Sequence, residues 1–100
     1  MIYAVLKENN KETANLFWTW EEYHKATFSP DIETVCKIEL GRVKGDYKTK
    51  KAAIQDKAIN YSNMIFSGLS YNELSYIESY FETYGKRYGL LREFRENAIC

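Results

Sequence analysis

Apolar residues recur at intervals of three and four through Leu74, Ile77, Phe81, Tyr84, Tyr88 and Leu91. That spacing is the buried stripe of an amphipathic helix. Ser70 with Glu73 three residues on forms a capping box, and Leu69 and Leu74 stand at the flanking staple positions. The pattern predicts a helix that begins at Tyr71 and stops at Gly89, because the apolar phase runs on past Gly85. A short final helix over 90–98 then turns Leu91 and Phe94 inward. Beside the stripe runs a row of tyrosines at four-residue spacing, Tyr76, Tyr80, Tyr84 and Tyr88. A step of four exceeds the 3.6-residue turn, so the row drifts by about 40° each time. It starts outside the stripe and merges with it.

The first half reads as strands. Residues 2–6 are β-rich, and 15–18 form a second strand that pairs back antiparallel through the polar segment 8–12. That segment is longer than a two-residue hairpin loop, which leaves the register open. Thr19 with Glu22 is a second capping box, with Trp18 and Tyr23 at the staple positions. The helix it opens, 20–27, ends before Ser29-Pro30-Asp31. From 34 to 43 the chain alternates, with Cys36, Ile38 and Leu40 on one face and Val35, Lys37 and Glu39 on the other. Gly41 and Gly45 suggest a bulge or bend near the end of that strand. Asp46 is a candidate N-cap for a long helix reaching Phe66, with Gly68 as its stop signal. Tyr47, Ile54, Ala58, Tyr61 and Ile65 form its stripe, and Lys51 falls in the same phase, so its ammonium must snorkel out. The expected architecture is one α+β domain over 1–100, in the order ββαβαα. A three-stranded antiparallel sheet is covered on one face by two long helices.

Charge sharpens the picture locally. Lysine plus arginine equals aspartate plus glutamate, at 14 each, so there is no overall pull toward nucleic acid or membrane. Yet residues 41–57 hold six basic and two acidic side chains, and 85–100 hold four and two. Arg42, Lys44, Lys48, Lys50 and Lys51, with Lys86, Arg87 and Arg92, are either solvated helix faces or a track for phosphates. The aromatic fraction of 16% is high. The tyrosine row reads as the flank of a core-facing helix, ring buried and hydroxyl wet, or as a recognition surface. On the second reading Tyr71, Tyr76, Tyr80, Trp20 and Glu73 are the candidate protein-binding residues. Trp18 and Trp20 are expected to divide, one in the core and one partly exposed; if both are exposed they mark a contact site.

Reaction chemistry is hard to assemble from this sequence. His24 is the single histidine, and the two cysteines, Cys36 and Cys100, are separated by 63 intervening residues, which makes neither a zinc set nor a nucleophile with its base. Glu21 and Glu22 are adjacent, but Glu22 is taken by capping. No glycine-rich phosphate loop occurs. The expectation is a protein that is not an enzyme, with no catalytic residues, cofactor or metal. No apolar run approaches membrane length and the N-terminus carries no signal pattern, so a cytosolic chain with reduced thiols is expected, a Cys36–Cys100 disulfide being the alternative.

The string 85–97, Gly-Lys-Arg-Tyr-Gly-Leu-Leu-Arg-Glu-Phe-Arg-Glu-Asn, resembles uncharacterised small proteins of Gram-positive phages and conjugative elements. Leu69-Ser70-Tyr71-Asn72-Glu73-Leu74 and Phe17-Trp18-Thr19-Trp20-Glu21-Glu22 fit the same group. The resemblance spans most of the chain. It implies a mobile element in the cytosol of a bacterial host, where such small proteins often block defence systems, CRISPR effectors among them, by binding them. A lesser likeness, in Tyr3-Ala4-Val5 and Thr19-Trp20-Glu21-Glu22, is to the hybrid-binding domain at the front of some ribonucleases H. The expected partner is therefore a host protein or defence complex, with nucleic acid on the basic stretches as the alternative.

Overall fold

The computed structural model describes residues 1–99. Its elements are β1 (Ile2–Glu8), β2 (Lys11–Phe17), α1 (Trp20–Ala26), β3 (Glu33–Glu39), α2 (Tyr47–Ser62), α3 (Tyr71–Arg87) and α4 (Leu91–Glu96). The strands form an antiparallel sheet in the order β2-β1-β3, so the fold is α+β. The most apolar strand is central: Ile2, Tyr3, Ala4 and Val5 are all buried.

The β1–β2 connection is tighter than expected from its polarity. Only Asn9 and Asn10 form the turn, with φ of 52° and 62°, and Glu8 pairs with Lys11. A two-residue turn with positive φ at both positions matches strand twist, and asparagine tolerates that conformation. Lys11, Glu12 and Thr13 are thus strand, not loop. Gly41 and Gly45 mark bends, while the bulge sits earlier in the strand. Val5 pairs with Cys36 and Leu6 with Thr34, so Val35 is the extra residue, well before Gly41.

The two faces of the sheet bury different partners. Tyr3, Val5, Ala14, Leu16 and Ile38 pack with Ile54, Ala58, Tyr61, Ile77, Phe81 and Phe94 of the helices. The Tyr3 hydroxyl donates to the Ile65 carbonyl. Burial, then Tyr61 and Cys36, pushes its pKa far above the ordinary phenol range, so it remains a donor. On the other face α1 covers Ile2 and Ala4 through Tyr23, flanked by Leu6 and Phe17. The sheet is therefore covered on both sides, thickly by the long helices and thinly by α1.

Helix α2 ends at Ser62, one turn short of Phe66. The Ser62 hydroxyl and the Asn63 amide both donate to the Ile59 carbonyl, at 2.7 and 3.1 Å. Such local side-chain bonds compete with the helix. The chain then folds Met64 into the core, and the Ser67 carbonyl accepts from the Ala14 amide at 2.7 Å, covering part of the exposed edge of β2. Gly68 (φ +101°) belongs to this crossing and does not stop α2. Helix α3 carries both arms of its capping box. It ends as the spacing predicts, with Gly89 left-handed and the Leu90 amide donating back to the Gly85 carbonyl at 2.7 Å. Gly85 stays helical because its missing side chain admits the Phe94 ring of α4.

Candidate functional site

Two surfaces stand out, one aromatic and one basic. The aromatic one begins with a correction: both tryptophans are exposed, Trp18 at 51% and Trp20 at 39%. The Thr19 hydroxyl accepts from the Glu22 amide at 3.2 Å, and the Glu22 carboxylate accepts from the Trp18 amide at 3.0 Å. This closed turn fixes the backbone between the two indoles. Trp18 does not staple onto Tyr23. Its ring meets Tyr76 of α3 edge-on at 5.1 Å. Trp20 lies edge-on to Tyr23 at 5.6 Å and stacks on His24 at 6.0 Å. Tyr23 in turn meets Phe17 and shares a 2.6 Å hydrogen bond with the Thr34 hydroxyl. The Lys37 ammonium sits 5.4 Å from the Trp20 ring centre and 5.0 Å from that of Tyr23. Phe28, just past α1, is 90% exposed.

The tyrosine row behaves as its drift requires. Tyr76 is exposed, Tyr80 and Tyr84 are half-buried, and Tyr88 is buried. The Tyr80 hydroxyl donates to the Gly41 carbonyl at 2.8 Å. Burial, then Tyr84, Glu39 and Tyr88, raises its pKa far beyond the ordinary range, which keeps that donor in place. Tyr80 is thus a strut between α3 and the segment after β3. Glu73 is occupied at the cap, accepting from the Ser70 amide at 3.0 Å. Tyr71 is exposed at the start of α3. Of the five residues expected to grip a protein, Tyr71, Tyr76 and Trp20 present free ring area, while Tyr80 and Glu73 hold the scaffold. Trp18 and Phe28 are exposed aromatics as well.

The basic stretches converge in part. Arg42, Lys50 and Arg87 line one cleft of about 420 Å³ with Val43, Tyr84 and Tyr88. Three elements build it: the segment after β3 held by Tyr80, the first turn of α2, and the last turn of α3. Tyr84 and Tyr88 stack on each other at 6.2 Å, and the Arg87 guanidinium lies 5.6 Å from the Tyr84 ring. Tyr47, expected in the stripe of α2, is instead 58% exposed at the first helical position. Its ring leans on Tyr88 at 5.5 Å. The other basic candidates lie outside the cleft. Lys44 and Lys48 are exposed and Lys51 is half-buried. Lys86 borders a shallow depression on the other side of Arg87, with Glu82 and Thr83, and Arg92 pairs with Glu96 at 3.4 Å.

His24 and Cys36 lie on opposite faces of the sheet, His24 beside Trp20 and Cys36 against the helix-side core. Burial, then Glu12, raises the Cys36 thiol pKa. Cys100 lies outside the described residues. Among the described residues no cluster of His, Cys, Asp and Glu could hold a metal ion, and no helix is long and apolar enough to cross a membrane.

Sequence reasoning missed Lys37 and Phe28. Lys37 was legible in principle, since it falls on the face of β3 opposite Cys36 and Ile38. Phe28 carried no periodic signal. Comparison with protein-family models, curated proteins and solved structures finds no match.

Proposed function

We propose that this chain is a non-enzymatic binding protein of a phage or conjugative element. Its target is a protein complex in the cytosol of the bacterial host, and its effect is inhibition of a defence system such as a CRISPR effector. The observation that carries the reading is the exposure of both tryptophans on either side of a capped, rigid turn. Large rings on a fixed backbone supply contact area at little cost in lost conformational freedom. Truncating such anchors at interfaces typically costs about 2 kcal/mol or more of binding. Tyr76 beside Trp18, and Tyr71 one turn earlier on α3, extend the same kind of surface. The likeness to phage and conjugative-element proteins supports the setting.

The test is an interference assay. A bacterium whose CRISPR effector destroys a targeted plasmid is transformed with and without the chain expressed. Plasmid survival rises with the wild-type chain and falls back with Trp18→Ser/Trp20→Ser, while the variant still melts cooperatively. If the wild-type chain leaves every defence system tested at full strength, the defence role fails. If the double variant protects as well as wild type, the aromatic surface is not the contact.

A further inference from the structure

The cleft between the segment after β3, α2 and α3 has a composition that the fold does not require. Arg42, Lys50 and Arg87 come from three separate elements and line it together. The ion pairs among the described residues are Lys25–Glu21 and Arg92–Glu96, neither of them there. Among the described residues, no group accepts a hydrogen bond from the side chain of Arg42, Lys50 or Arg87. No carboxylate lines the cleft; Glu39 bears on the neighbouring Tyr80, and Glu82 shares an adjoining depression with Arg87. Three cations gathered in one recess repel each other unless an anion joins them.

We propose that this cleft binds the phosphodiester backbone of single-stranded nucleic acid. Arg42, Lys50 and Arg87 take the phosphates, and Tyr47 at the rim offers a ring for a base. Three features select this ligand. Guanidinium groups match phosphate oxygens in paired geometry. A recess of about 420 Å³ takes a phosphate with its sugar, whereas a duplex meets only its rim. Tyr47 is 58% exposed and touches Tyr88, a wall of the cleft, so a stacking surface adjoins the phosphate site. Tyr84 and Tyr88 are engaged with each other and with Arg87, and serve as walls. The site is independent of the tryptophan surface, so it stands or falls apart from the protein-binding role.

The experiment is a fluorescence-anisotropy titration of a labelled single-stranded oligonucleotide of about ten nucleotides, over a salt series of about 50 to 200 mM. Each neutralised phosphate on a single strand adds a log–log salt slope of about −0.7, so three contacts give about −2. Arg42→Gln/Arg87→Gln reduces the slope to about −0.7 and weakens binding at every salt concentration. Tyr47→Ala weakens binding by about 5- to 160-fold with the slope unchanged, and Tyr47→Phe restores it. All three positions are exposed, so thermal melts of the variants match wild type. Absence of binding at the lowest salt overturns the proposal, as does binding whose slope ignores the Arg42 and Arg87 changes. If inorganic phosphate or a mononucleotide competes as well as the oligonucleotide at equal phosphate concentration, the cleft takes a free phosphate and the strand assignment is overturned.

Discussion

Replacing Gly85 with alanine pits two effects of known sign against each other. In an exposed helix interior the change stabilises by about 1 kcal/mol. Here the new methyl would lie 2.8 and 2.9 Å from two ring carbons of Phe94 and 3.2 Å from a Leu91 methyl. Ordinary carbon–carbon contact begins near ~3.5 Å. The Phe94 ring is 1% exposed and meets Phe81 at 5.9 Å, so it has no open side to retreat into. Overpacking of this kind costs about 1–3 kcal/mol. The net expectation is destabilisation of about 1 kcal/mol, read as a melting temperature lower by roughly 4–8 °C for a domain of this size. Denaturant unfolding of wild type, Gly85→Ala, Phe94→Val and the double variant makes the test sharp. Valine lacks the offending ring atoms, so in the Phe94→Val background alanine at 85 stabilises, and the cycle shows a coupling of about 0.5–3 kcal/mol. If Gly85→Ala raises the melting temperature of the otherwise wild-type chain, α4 does not pack on α3 as described.

Gly68→Ala combines a left-handed backbone with a methyl 2.5 Å from Thr13 Cγ2 and 3.1 Å from the Ala14 carbonyl oxygen. It is expected to cost about 1–3 kcal/mol and to speed hydrogen exchange of the Ala14 amide, which the Ser67 carbonyl protects. Ala98 closes α4 at φ 55°, with the Ile99 amide donating to the Phe94 carbonyl at 2.8 Å. Ala98→Gly is therefore expected to stabilise by about 1 kcal/mol, as relief of the left-handed penalty outweighs glycine's extra chain entropy in a thermal melt. Asp46 caps α2, and its bonds from the Thr49 amide and hydroxyl lower its carboxyl pKa. A pKa depressed on folding gives stability that is present above the unfolded value and lost as pH falls through the folded one. Wild type should thus exceed Asp46→Asn in melting temperature at about pH 7, and the gap should narrow as the pH falls below the ordinary carboxylate range.

The sequence carried the fold where local chemistry and periodicity agreed. Ser70 with Glu73, Asp46 with Thr49, and Gly89 each act within a few residues, so the starts of α2 and α3 and the end of α3 were legible. The alternation around Ile38 placed Cys36 and Ile38 inward for the same reason. Features set by distant contacts were not legible. Nothing near Trp18 announces Tyr76, 58 positions away in a chain of 100 residues. The early end of α2 depends on Ser62 and Asn63 winning a competition that propensity leaves open, and on Ser67 meeting Ala14. The Asn9-Asn10 turn was readable from residue type, but the surrounding polarity disguised strand as loop. For the site, the two basic stretches were visible as composition. Which of their side chains share a cleft was decided by Tyr80 anchoring Gly41, a contact across 39 positions.

The proposed protein-binding role of the aromatic surface is tested most directly by affinity capture from lysate of the proposed bacterial host at physiological salt. Three tagged chains serve as bait: wild type, Trp18→Ser/Tyr76→Ser, and Arg42→Gln/Arg87→Gln. One protein complex recovered by the first and third baits, but not by the second, is the expected result. Equal recovery by all three, or loss with the arginine variant alone, would contradict it.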